Sequence, residues 1–299
     1  MTTLKNVASA ASEFRQRLNP RMARVLIPTD FSDNAKRAKR YALMLFGPSS
    51  HYTLLSTFEV PHSGATMLIS ITDILQKDSL ELLNDEMVNL EHEFPDVVDR
   101  ITVHIEAGVP DLAVEKLTRL DKCDVVMMGT RGASGIKAAL VGSNTSATVQ
   151  RSHCPVLAVP AKARLKAPAR ILFAADNISL NNPELPELLL EVARTWKSEV
   201  ILLNVVKESD LDRVGVAPGV STDPINYYEG VRHSYRFIAA EDPEEGIERF
   251  LKDNEVDMVC MVNRKTDLMS RLFNRSISNR LVLHTETPLL IIHQKDIEP

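Results

Sequence analysis

Short apolar runs rich in Val, Ile and Leu alternate along this chain with longer segments whose apolar residues recur every three or four positions. Runs that are apolar throughout suit strands buried on both faces, and the longer segments have the period of helices. The pattern therefore predicts an α/β protein with a mainly parallel sheet covered by helices on each side. In the first half it predicts strands at RVLIP (24–28), YTLLSTF (52–58), ITVHIE (101–106), DVVMM (124–128) and PVLAV (155–159). The helix between the first two has clear limits: Ser32 is its N-cap, Ala35, Ala38, Tyr41, Ala42 and Leu45 form one apolar face, and Gly47 follows its last turn. A longer helix is expected within 66–94, a third from Pro110, whose ring suits a first turn, and a fourth from about Ser143.

The segment AKARLKAPA (161–169) has no periodicity and reads as a linker, after which the pattern restarts. RILFAAD (170–176) is similar to RVLIPTD (24–30), and EVILLNVV (199–206) to HYTLLSTF (51–58). From about Ala107 a constant offset of 133 aligns the halves without a gap: Pro110 meets Pro243, Glu115 meets Glu248, Asp124 meets Asp257, Met128 meets Met261, Arg131 meets Arg264, Ser143 meets Ser276 and Pro155 meets Pro288. The chain is thus an internal duplication. It is expected to hold an N-terminal arm over 1–21 and two tandem doubly wound domains, 22–160 and 170–299, each with a five-stranded, mainly parallel sheet. The halves differ most at 207–233, where three glycines and two prolines predict an irregular loop with little helix.

Composition narrows the function. Across 299 residues, 44% hydrophobic and 25% charged content describe an ordinary globular protein, and a net charge of −5 argues against broad attraction to nucleic acid or anionic membrane. No apolar run approaches the roughly 20 residues that span a bilayer, and the N-terminus lacks the apolar core of a secretory signal. A cytoplasmic location is the expectation. Lys5, Arg15, Arg17, Arg21 and Arg24 against Glu13 make residues 1–24 basic, which suits a helix or frayed arm, with an organelle transit peptide as the alternative. Cys123, Cys154 and Cys260 share no C-x-x-C spacing and read as small buried residues in a reducing compartment. His92, His104, His153 and His284 lack the spacing of a metal site or a triad, so no metal ligands are assigned.

Four of the eleven glycines gather in MGTRGASGIKAALVGSNT (128–145), at 129, 132, 135 and 142. The cluster lies after a predicted strand and before a predicted helix. A helix N-terminus offers unpaired N–H groups and the positive end of the macrodipole, and glycines let a ligand approach the backbone. Ser143 and Thr145 can add hydroxyls and Asn144 an amide. Glycines here also suit a plain turn, and neither G-x-x-x-x-G-K-[ST] nor G-x-G-x-x-G occurs in the cluster.

GTRGASGIKAALVGS fits G-x-x-G, nine residues, then G-[ST], and so resembles the ATP-binding signature of the universal stress protein family. VLIPTDFSDNA (25–35) looks like that family's opening strand, EAGVP (106–110) resembles the end of its third strand, and Thr57 falls where the second strand lines the adenine pocket. The resemblance implies ATP, with or without Mg²⁺. Asp30, with Pro28 and Thr29 beside it, would lie on the nucleoside side, and Gly108 and Val109 would shape the ribose edge. Met128 would close the strand, Gly129 and Gly132 would give backbone room, and Gly142 and Ser143 would hold phosphates with help from Asn144 and Thr145. Arg131 either screens phosphate charge or is a solvated loop residue.

In the second half Val262, Lys265 and Arg275 replace Gly129, Gly132 and Gly142, although Asp176 and Ser276 persist. The second domain is therefore not expected to bind ATP. Its Lys265, Arg271, Arg275 and Arg280 form a solvated basic face or a seat for another anion. The resemblance also implies pairing of final strands, PVLAVPA with PLLIIHQ, and a homodimer remains open. Three functions fit: a nucleotide-binding stress regulator acting on a protein partner, a slow ATPase, and an interaction scaffold. No metal-holding acidic cluster accompanies the glycines, so no catalytic residues are assigned and the regulator is favoured over the enzyme.

Overall fold

The computed structural model describes residues 22–59, 65–120, 123–130, 143–174, 185–207, 221–263 and 286–293. The chain divides into two compact units, Met1–Ala161 and Lys162–Pro299. In unit 1 the elements run β1 (Arg24–Thr29), α1 (Asp33–Phe46), β2 (His51–Phe58), α2 (Ala65–Glu93), β3 (Ile101–Ala107), α3 (Pro110–Arg119), β4 (Val125–Gly129), α4 (Ser143–Arg151) and β5 (Val156–Val159). The strands pair in parallel in the order β3-β2-β1-β4-β5. Val25, Leu26 and Ile27 of β1, and every residue of β5, are buried, as strands covered on both faces must be.

Local signals explain the helix limits. Ser32 Oγ accepts the Ala35 N–H at 3.2 Å and caps α1, whose C-cap Gly47 has φ +67. Tyr52, buried in β2, donates its hydroxyl to the Gly47 carbonyl at 2.6 Å and ties the sheet to the end of that helix. Burial pushes the Tyr52 phenol far above its ordinary value, so it remains a donor.

Unit 2 contains β6 (Arg170–Ala174), α5 (Glu187–Trp196), β7 (Glu199–Val206), β8 (Ser221–Tyr228), β9 (Val231–Ala239), α6 (Pro243–Asp253), β10 (Met258–Asn263) and β11 (Leu289–His293). Its sheet order is β11-β10-β6-β7-β9-β8. The offset of 133 is realised in the register: Val126 opposes Val156 in unit 1, and Val259 opposes Leu289 in unit 2. The foot of the sheet is repeated as well. Asp124 accepts the Arg24 N–H at 2.7 Å, and Asp257 accepts the Arg170 N–H at 3.0 Å. Each aspartate returns its own N–H to the same arginine's carbonyl. Burial raises the Asp257 pKa, but the Lys166 ammonium and the Arg170 and Ala169 amides hold it below the ordinary carboxylate value.

One expectation fails in unit 2. The segment expected to be an irregular loop contains β8, which pairs antiparallel with β9 and makes this sheet six-stranded. Glu229 and Gly230, at φ +46 and +80, join Tyr228 to its partner Val231, as a two-residue hairpin turn requires. Pro224 is tolerated because β8 is the last strand in the order and its register shifts between Thr222 and Asn226. No described helix is long and apolar enough to cross a membrane.

Candidate functional site

Unit 1 reverses its strand order between β1 and β4, and in open parallel sheets such a reversal leaves a crevice at the carboxyl ends of the strands. Most of the expected site residues come to that end. Pro28 and Thr29 close β1, half-buried, and Asp30 follows, exposed. Thr29 opposes Ser56, which places half-buried Thr57 one residue further along β2. Thr57 in turn opposes Glu106, just before Gly108 and Val109. Met128, buried, and Gly129, half-buried, end β4. Arg131, Gly132 and Gly142 lie outside the described residues.

The turn from β1 into α1 is built by side chains. Thr29 Oγ1 accepts the Phe31 N–H and Asp30 Oδ1 accepts the Ser32 N–H, both at 3.1 Å. Between them Phe31 takes φ +60, a left-handed conformation uncommon for a bulky residue. The flanking bonds hold that conformation, and with it the position of Asp30. Gly108, at φ +125, donates its N–H to the Phe58 carbonyl at 2.9 Å, and Val109 is the N-cap of α3.

Gly129 has a packing role that its motif does not reveal. A Cβ there would lie 2.5 Å from Asn34 Nδ2 and 2.8 Å from Asn34 Cγ. Asn34 is buried in the first turn of α1. It was missed in the sequence although a signal existed: at spacings of four and three it falls on the apolar stripe of Ala38 and Tyr41. Gly129→Ala is expected to cost about 1–3 kcal/mol through overpacking, with most of that loss removed in an Asn34→Ala background. Urea unfolding of the two variants measures both; an equal loss in either background would sink the packing account.

At α4, Ser143 and Asn144 are exposed in the first turn, where helix N–H groups lack intrahelical acceptors. Thr145 has a packing role besides the one expected of it. It is buried, and its hydroxyl donates to the Gly129 carbonyl at 2.9 Å, tying α4 to the end of β4. Beside Thr57, Glu106 accepts from Lys116 Nζ at 2.7 Å and lies 3.1 Å from His104 Nε2. Lys116 first, then His104, holds its carboxyl below the ordinary range. That carboxylate is thus already compensated next to the crevice. Among the described residues no group of three or more His, Cys, Asp or Glu is placed to hold a metal ion.

In unit 2 the register position of Gly129 is taken by Val262. Gly129 opposes Val159 and Val262 opposes Ile292, each shifted by the same offset. Val262 is buried. Lys265, Arg275, Ser276 and Asp176 lie outside the described residues.

Comparison with known proteins gives a consistent answer. The chain is 28% identical over 145 residues to universal stress protein MJ0531 of Methanocaldococcus jannaschii, covering 46% of this chain and 81% of that one. It is 25% identical over 154 residues to universal stress protein MJ0577 of the same organism, covering 46% and 95%. A universal stress protein structure from Archaeoglobus fulgidus shares the fold at TM-score 0.61 and 18% identity, over 91% of this chain and 96% of that one. The model of the universal stress protein family matches residues 22–160 and again 169–293, so the chain belongs to that family, with two tandem copies of its domain.

Proposed function

We propose that unit 1 binds ATP at the carboxyl end of β1 and β4, and that occupancy changes the surface it offers to a protein partner in a stress response. The observation that carries this reading is the convergence at the strand-order reversal of Asp30, Thr57, Gly108, Gly129 and the first turn of α4. Gly129 and the first turn of α4 stand at the two ends of a segment that matches a complete G-x-x-G, nine-residue, G-[ST] signature. Exposed Ser143 and Asn144, with the helix dipole behind them, suit phosphate oxygens. Thr145 fixes α4 to β4 through its hydroxyl. The second domain, from residue 170, is proposed to bind no ATP, because buried Val262 puts a β-branched side chain where unit 1 has none.

Calorimetric titration of nucleotide-stripped protein with ATP, with and without Mg²⁺, tests this reading. One ATP per chain, with phosphate release negligible over hours, is the expected result. Two per chain would overturn the silent second domain. No binding would leave an interaction scaffold, and sustained phosphate release would make the protein an ATPase.

A further inference from the structure

The cysteines, unpaired by any motif in the sequence, are not all isolated in the fold. Cys123 precedes β4 and Cys154 precedes β5, and the parallel pairing of those strands brings together thiols 31 positions apart in sequence. Their Sγ atoms are 2.7 Å apart and both residues are buried. A disulfide bond of about 2.05 Å would need only a short further approach. The backbone around each sulfur is pinned. Ser152 Oγ donates to the Cys154 carbonyl at 2.6 Å and accepts the Cys154 N–H at 3.2 Å. Asp124, next to Cys123, exchanges hydrogen bonds with the backbone and side chain of Arg24. Cys260 is buried within β10 and serves as an internal control.

We propose that Cys123 and Cys154 are an oxidisable dithiol that hydrogen peroxide converts into an intramolecular disulfide. One sulfur attacks the peroxide O–O bond, which breaks to give a sulfenic acid and water. The second sulfur then attacks the sulfenic sulfur, forming the S–S bond and releasing the hydroxyl as a second water. The two sulfurs together lose two electrons, the peroxide gains them, and both thiol protons leave in water. The Cys154 contact and burial push the Cys123 thiol well above its ordinary range, so the reaction is slow compared with that of an exposed thiolate. The closed ring encloses β4, the whole glycine-bearing segment and α4. It restricts the unfolded chain and raises the thermal midpoint by about 5–10 °C.

Native protein is treated with peroxide, quenched with catalase, denatured and labelled with maleimide. One labelled thiol of the three, at Cys260, a mass lower by two hydrogens, and a peptide linking Cys123 to Cys154 are expected, with dithiothreitol restoring three thiols. In Cys123→Ser and Cys154→Ser no internal link can form, so neither is expected to lose two hydrogens under the same treatment, and the variant that keeps the attacking sulfur stops at the sulfenic acid, which dithiothreitol reduces. Three thiols persisting in the wild type, added oxygen at either cysteine in place of the link, or a bridge to Cys260 or to a second chain would each overturn the proposal.

Discussion

Glu86→Ala is expected to destabilise unit 1 by about 3–5 kcal/mol, the cost of leaving a buried charge without its partner. Glu86 of α2 forms an ion pair with Lys39 of α1, and their side chains are only 8% and 5% exposed. Ser79, Leu83, Glu86 and Leu90 are the buried stripe of α2, so the carboxylate stands in the middle of an otherwise compatible packing face. Burial first, then the Arg40 charge, push the Lys39 ammonium down to about 7 against the opposing pull of Glu93.

Without Glu86, the buried lysine loses its proton more readily than the unfolded one. Stability rises with pH wherever the unfolded state binds more protons, so with the folded Lys39 at about 7 the contribution of this group to stability rises as pH climbs from about 7 towards the ordinary lysine value of about 10.4. The double variant Lys39→Met/Glu86→Leu removes both desolvation costs and is expected to match the wild type or exceed it by about 1–4 kcal/mol. Urea midpoints with unchanged m-values measure both effects. A single-variant loss below about 1 kcal/mol would mean that water reaches the pair.

Gly142→Arg is expected to weaken ATP binding at least about 100-fold, the loss of roughly 2.7 kcal/mol, while the thermal midpoint changes little. The substitution copies Arg275, which occupies the equivalent place in the second half. In the proposed site this residue precedes the first turn of α4, where phosphate oxygens approach the backbone. A side chain there occupies the space that glycine leaves open. Restored repulsion is not the issue, since arginine carries the attractive sign; the test is therefore one of room against charge. ATP affinity equal to the wild type, measured by the same titration, would move the phosphates away from α4.

Features set by neighbours in sequence were legible at once. The apolar runs became β1 to β5 within a residue or two, Ser32 capped α1, and Pro110 opened α3. The site was legible as a motif for the same reason, because a strand end, glycines and a helix start are consecutive. The β8–β9 hairpin was hidden because glycine and proline are loop signals in general, while an edge strand with a bulge accepts the proline and a tight turn uses the glycine. Asn34 and Glu86 were passed over although each falls on an apolar stripe, because a polar residue in a helix is ordinarily read as solvent-facing.

By itself the sequence determined the alternation of strands and helices, the duplication with its offset of 133, and the motif that marks the first half apart from the second. Those properties are periodicities and local caps, written within a few turns of the chain. The tertiary structure alone decided which distant residues meet: Asn34 over Gly129, Lys39 on Glu86, and Cys123 beside Cys154. The order β3-β2-β1-β4-β5 is not the order of the chain, so strand neighbours and the side chains at their ends are chosen by how the sheet closes its core.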